Sequence, residues 1–372
     1  MSDIEIGLSK RARRTYKLDD VALVPSRRTR DPEDVSTSWR IDAFTFETPL
    51  IGAPMDSVMS PQTAIALGRL GGLGVLNLEG LWTRYENPQP YLDEITSLEL
   101  NDPVAATRRM QEIYAEPIKA ELITKRLSEI RDSGVIVAGS LTPQHTQEFY
   151  ETVVNAGVDI FVIRGTTVSA EHVSENREPL DLKKFIYELD VPVIVGGVAG
   201  YTPALHLMRT GAAGVLVGFG GGSSMTTRRG LGIQASMATA IADVAAARSR
   251  YLDESGGRYV HVIADGELGR SGDLVKALAL GADAAMIGAP LARASEAPGR
   301  GLYWGNEAHS VNFPRGIRTN LGTVGTLEEV LYGPSHHVDG TSNIVGALRR
   351  AMATCGFTDV KSFQRSELVL AD

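Results

Sequence analysis

Residues 260–287 read VHVIADGELGRSGDLVKALALGADAAMI, and this stretch decides the fold. Two short apolar runs, VHVIADG from Val260 and AAMIGA from Ala284, flank SGDLVKALALGA, which has the spacing of a helix. A run that is apolar at nearly every position suits a strand buried on both faces of a parallel sheet. The unit recurs upstream. TPLIGAPMD begins at Thr48, GLGVLN at Gly72, GVIVAGSL at Gly134, VDIFVIRG at Val158, VPVIVGGV at Val191 and AGVLVGF at Ala213. Eight strand–helix units over about 250 residues is the dimension of a TIM barrel, whereas a doubly wound sheet rarely uses eight such regular units. The predicted fold class is α/β, a single (β/α)8 TIM barrel spanning residues 1–372.

Two intervals break the rhythm. About 60 residues separate the second and third runs, and they include PVAATRRMQEIYAEPIKAELITKRLSEIRDSG, charged and periodic enough to predict solvated helix. The interval after the sixth run holds GFGGGSSMTTRR and then the helix-like QASMATAIADVAAARSR. Catalytic and binding groups of a TIM barrel sit on the loops that follow its strands, so this glycine loop stands where a site belongs.

Bulk composition excludes several functions. The formal charge of −8 argues against nucleic acid as the main partner, because phosphate binding wants a basic face. No apolar run is long enough for a transmembrane helix. The start, MSDIEIGLSKRARR, is basic without an apolar run behind it, so we expect no signal peptide and a cytoplasmic protein. The single cysteine, Cys355, excludes an internal disulfide framework and a multi-cysteine metal site. Adjacent histidines rarely converge on one ion, so His336 and His337 do not predict a metal, and none is expected.

Gly218, Gly220 and Gly222 alternate through a loop that Ser223 and Ser224 close with hydroxyls. Such a loop lets backbone N–H groups approach an anion or a carbonyl, although it also serves as a tight strand-to-helix connection. The next residue is Met225, whose thioether has no proton to lose and is no nucleophile in the sense that a thiolate is.

Several segments together resemble the IMP dehydrogenase/GMP reductase family, in a branch without the inserted CBS domains. YKLDDVALVPS resembles its opening segment, PLIGAPMDSV and GGLGVL its first two strands, and VIADGELGRSGDLVKALALGADAAMIGAPLARASEAPG its seventh and eighth units. ALRRAMATCG resembles its C-terminal helix. The likeness runs in order over most of the chain except the helical segment at about 80–132, where relatives carry the CBS domains. It implies a barrel that binds a purine nucleotide beside a nicotinamide cofactor, NAD or NADP. It also implies a homotetramer, which leaves open assembly with an active family member.

In that family a cysteine in a GSxC loop attacks C2 of the purine. GSSMTTR aligns without a gap and puts Met225 at the nucleophile position, with Thr227 retained nearby. Cys355 matches the C-terminal helix instead and reads as a small packing residue. The family's mobile Arg–Tyr flap has no room in NFPRGIRTNLGTVGTLEEVL. Asp265 matches the carboxylate that holds the ribose hydroxyls, although a residue there also suits a helix N-cap. Met55, Ser223, Gly266 and Gly288 match other nucleotide-pocket positions. Glu267 stands for a glycine whose N–H meets the phosphate, Ala289 for a serine donor and Pro314 for a tyrosine donor. Arg164 replaces the carboxylate that holds the cofactor ribose. It suits an anionic ligand or else pairs locally with Glu171 or Glu175. Arg228 and Arg229 read as solvated loop charges that could also line the mouth of the pocket. The expected function is binding of a purine nucleotide or related anion without the usual cysteine chemistry; the alternative is an NAD(P)-dependent oxidoreductase on IMP or GMP by another route.

Overall fold

The computed structural model describes residues 4–25, 27–175 and 178–371, so the first three residues of the basic start lie outside it. Eight parallel strands close into a barrel. They are β1 (Leu50–Gly52), β2 (Leu73–Asn77), β3 (Ala138–Leu141) and β4 (Ile160–Arg164), followed by β5 (Val193–Val198), β6 (Gly214–Val217), β7 (His261–Asp265) and β8 (Ala284–Ile287). Each lies inside one of the eight runs expected from the sequence. Closure comes from β8 pairing with β1, where Ala285 stands opposite Leu50.

Nearly every strand residue is buried on either face, which is why the runs are continuous rather than alternating. Helices cover the outside: α1 (Pro61–Arg69), α2 (Ala120–Arg131), α3 (Pro143–Asn155), α4 (Leu182–Glu188), α5 (Tyr201–Met208), α6 (Met237–Glu254), α7 (Ser271–Ala279) and α8 (Ile344–Thr354). Glycine sets how close they come. A Cβ on Gly74 would lie 2.5 Å from Ala64 Cα, so α1 rests directly on β2. Starts are capped by the residues the sequence supplies, Ser60 accepting from Thr63 N–H at α1 and Asp273 from Gly269 and Arg270 N–H at α7.

The segment at about 80–132 is helical, through Gln89–Ser97, Pro103–Ile113 and α2, but it is not merely solvated. Met110, Ile113, Ile123 and Leu127 bury one face. The segment also reaches inward through Tyr114, whose hydroxyl donates to the buried Asp56 carboxylate at 2.7 Å while accepting from Trp304 Nε1 at 3.3 Å. Its ring stacks on His309 at 3.5 Å between centroids. Burial pushes the Asp56 carboxyl up against the pull of Leu81 N–H, Tyr114 and Asn77, and drives His309 down to about 3. At the opposite end of the barrel Asp283 is held by Arg248 Nη1 at 2.8 Å and Tyr259 Oη at 2.6 Å. That pairing belongs to the stabilising face of the fold.

Candidate functional site

The loops after the strands enclose a cavity of about 520 Å3 at the C-terminal face. Met55 comes from the loop after β1, Arg164 from the end of β4, and Gly218 to Met225 from the loop after β6. Asp265 to Glu267 follow β7, and Gly288 with Ala289 follow β8. Thus Met55, Arg164, Gly218, Gly220, Gly222, Ser223, Met225, Thr227, Asp265, Gly266, Glu267, Gly288 and Ala289 all line one cavity. Arg228 and Arg229 are exposed and do not line it.

The glycine loop needs its glycines. Gly218 and Gly220 have φ of 129° and 75°, conformations costly for other residues. A Cβ on Gly218 would lie 2.3 Å from the Asp265 carbonyl oxygen, so the loop packs against the end of β7. Met225 is pinned from the other side by the segment that follows Tyr303. It forms an antiparallel bridge with Gly316, Thr226 N–H donates to Arg315 O at 2.6 Å, and Ile317 N–H donates to Ser224 O at 2.8 Å. Arg315 Nη2 continues to Thr166 Oγ1 at 2.7 Å. The Met225 and Met55 methyls both approach Gly305, 3.0 and 3.2 Å from where its Cβ would stand. Two thioethers therefore form an apolar patch on the cavity wall.

Arg164 does not make the local pair expected of it. It meets neither Glu171 nor Glu175; it grips Asp265, through Nε to Oδ2 at 2.8 Å and Nη2 to Oδ1 at 3.3 Å. The two side chains are only 21% and 11% exposed. Burial alone would lower the arginine pKa, but the charge and hydrogen bonds of Asp265, with Glu307 beyond, raise it instead. Strands β4 and β7 are not neighbours, so this pair bridges the mouth of the barrel. The arginine expected to attract an anion is already neutralised, and its partner is the carboxylate expected to hold ribose.

Glu267 has φ of 57°, a left-handed conformation that glycine would adopt freely. Its Oε1 accepts from Gln234 Nε2 at 3.1 Å and lies 2.6 Å from the site of a Cβ on Gly221, so the carboxylate closes the gap between the β6 and β7 loops. Burial raises its pKa, and Asp19 and Asp273 add to the rise against Gln234 and Lys17. Pro314 does not line the cavity, whereas Tyr303 does, its hydroxyl 2.7 Å from the site of a Cβ on Gly288. Cys355 is buried at the C-terminus of α8, outside the cavity. Among the described residues no group of three or more His, Cys, Asp or Glu side chains could hold a metal ion, and no histidine lines the cavity.

Sequence reading missed Glu307, Tyr303 and the Glu79–His145 pair. The first two lie beyond β8, Tyr303 in a two-residue strand and Glu307 in a short turn, elements too brief for periodicity or a spaced motif to mark them. His145 Nδ1 lies 2.8 Å from Glu79 Oε2 between the ends of β2 and β3, a contact of residues 66 apart that no local pattern announces.

A closed eight-stranded barrel with a cavity built from its β→α loops defines the class: a TIM-barrel protein with its candidate site at the C-terminal face. Residues 15–312 match the IMP dehydrogenase / GMP reductase domain. The chain belongs to the IMP dehydrogenase/GMP reductase family. It is 50% identical to an uncharacterised oxidoreductase of Mycolicibacterium smegmatis, with 99% of each chain covered. It is 25% identical to the inosine-5'-monophosphate dehydrogenase of Methanocaldococcus jannaschii, over 95% of this chain and 92% of that one. The crystal structure of an IMP dehydrogenase/GMP reductase-like protein from Corynebacterium glutamicum superimposes with a TM-score of 0.94 at 50% identity, covering 99% of this chain and 98% of that chain. Among the described residues no helix is long and apolar enough to cross a membrane.

Proposed function

We propose that this protein binds a purine nucleoside unit, free or as its nucleotide, at the top of the barrel and does not turn it over through a covalent thiolate intermediate. The observation that carries the reading is Met225, which lines the cavity with a thioether while Cys355 is buried outside it. A methyl-capped sulfur has no proton to give up and cannot form the bond that a thiolate forms. Retention of Met55, Ser223, Asp265, Gly266 and Gly288 around one cavity supports a purine ligand of the family's kind. The Arg164–Asp265 bridge commits the Arg164 guanidinium within the chain, which weakens the case for an anion or a NAD or NADP ribose held by that residue. We place the protein in the cytoplasm as a homo-oligomer, a tetramer in the first instance, which light scattering of the purified chain measures.

The test is direct. Purified protein is titrated calorimetrically with inosine, guanosine and their monophosphates, and separately incubated with IMP and NAD or GMP and NADPH while the reduced-cofactor absorbance is followed. Binding without turnover is expected. NADH production that Met225→Ala abolishes would overturn the reading and require another route for hydride transfer.

A further inference from the structure

Glu307 carries a carboxylate into the same cavity, beside the two thioethers, and among the described residues none pairs with it. It is the middle residue of the short turn Asn306–Ala308, which follows Gly305. Gly305 gathers three side chains around one point: a Cβ there would lie 3.0 Å from Glu307 Oε2, 3.0 Å from Met225 Cε and 3.2 Å from Met55 Cε. The backbone carbonyl of Glu307 accepts from Arg315 N–H at 2.8 Å, which fixes the turn. Among the described residues none donates a hydrogen bond to its carboxylate. Arg164, whose positive charge reaches it, has its fork committed to Asp265.

A carboxylate at the wall of a cavity is acceptor-only, with two oxygens that take a forked pair of donors. Two methyl-capped sulfurs beside it make a smooth apolar surface that suits the face of a flat ring. A ring laid on that surface turns an edge toward Glu307, and the chemistry of the edge decides the fit. Two adjacent N–H donors, such as N1–H and the 2-amino group of a guanine-type edge, satisfy both oxygens. A hypoxanthine edge offers one donor, and a xanthine edge places a carbonyl oxygen against a negative charge. A polar group left unpaired in such a site costs binding, which is how discrimination between near-isosteric rings arises.

We propose that Glu307 reads the edge of the bound ring and selects a purine with two adjacent N–H donors over one with an acceptor in that place. The inference rests on the reading that the cavity binds a purine unit. It is tested with guanosine, inosine and xanthosine, and with their 5'-monophosphates, titrated calorimetrically into the native protein and into Glu307→Gln, whose fold is checked by circular dichroism. The native protein is expected to bind guanosine at least about tenfold more tightly than inosine, the scale of one charge-assisted hydrogen bond, and xanthosine more weakly still. An amide presents one acceptor and one donor, so it takes only one of the two adjacent N–H groups of guanosine, and Glu307→Gln should erase the preference. Binding with an unchanged guanosine-to-inosine ratio in Glu307→Gln overturns the role of Glu307 and leaves the proposed function standing. Failure of every purine ligand to bind the native protein overturns both. Should Glu307→Gln misfold, Glu307→Asp serves in its place: retaining the charge on a shorter stem, it should weaken guanosine binding while keeping the rank order, and a changed order counts against the proposal.

Discussion

Replacing Arg164 by Met should cost about 3 kcal/mol of stability, because it strands Asp265 at the mouth of the barrel. Removing one partner of a buried pair costs about 3–5 kcal/mol, chiefly through the uncompensated charge left behind. The 21% and 11% exposure of the two side chains puts this pair at the low end of that range. With an unfolding entropy of about 2.1 cal/mol/K per residue, 372 residues give roughly 0.8 kcal/mol/K, so Tm should fall by about 4 °C. Scanning calorimetry or urea unfolding measures it. A second readout separates the charge effect from lost packing. The double variant Arg164→Met/Asp265→Leu should recover to within about 1 kcal/mol of the native chain, since neither charge is then stranded. A loss in Arg164→Met below about 0.5 kcal/mol, the same with or without Asp265, would refute the reasoning and mean that water screens the bridge.

Glu267→Gly should strengthen binding of purine monophosphates relative to their nucleosides in calorimetric titrations, because it removes a carboxylate from the cavity rim at a left-handed position that glycine accepts; an unchanged ratio would show that the phosphate end lies elsewhere. The hydrogen bond from His145 to Glu79 raises the histidine pKa above 6.5, so its stabilising contribution is complete below pH 6.5 and is lost as the pH rises through the raised value. Glu79, lowered from 4.5 by the same partner against its burial, loses its share as the pH falls through the lowered value. His145→Gln should therefore flatten the decline in urea-unfolding stability above pH 6.5, and an identical slope would exclude the pair as its source. Tyr114→Phe removes one donor from the buried Asp56 and should cost about 1.5–3 kcal/mol by urea unfolding, since the hydrogen bond is to a carboxylate; a neutral result would mean that Leu81 N–H and Asn77 suffice.

The barrel was legible because its strands are buried on both faces. Burial of that kind writes an unbroken apolar run, and Val215, Leu216 and Val217 in β6 are all fully buried. The glycine loop was legible too, since Gly218 and Gly220 take conformations that few other residues accept. What escaped were meetings between distant parts of the chain. Arg164 and Asp265 are 101 residues apart, on strands that do not touch, and the local search for a partner could reach only Glu171 and Glu175. Residues 103–134 looked solvated because Arg108, Arg109 and Glu112 dominate their polar face, while Tyr114 within them reaches inward to Asp56. Tyr303 and Glu307 follow the last strand in chain without periodicity, and only closure of the barrel brings them to Met225.

That closure bears on whether a thiol at position 225 would act as a nucleophile. Met225→Cys would set a thiol beside Glu307, whose carboxylate has no donor among the described residues, and Arg164, whose charge reaches Glu307, is bound to Asp265. A neighbouring negative charge disfavours the thiolate, and so does partial burial, so the new thiol should titrate above the ordinary value of about 8.5. The surroundings have shifted against a nucleophile along with the residue itself. Met225→Cys alone should then give no turnover with IMP and NAD, and its alkylation rate should keep rising past pH 8.5. Glu307→Gln in the same background should bring the titration down, because it removes the charge and leaves the shape. Cys355 supplies the baseline, since the native chain carries it as its single thiol and holds it buried, where burial raises its pKa. An introduced thiol that titrates at or below 8.5, unmoved by Glu307→Gln, would show that the two side chains do not share a field, and the convergence on Gly305 would carry no electrostatic meaning.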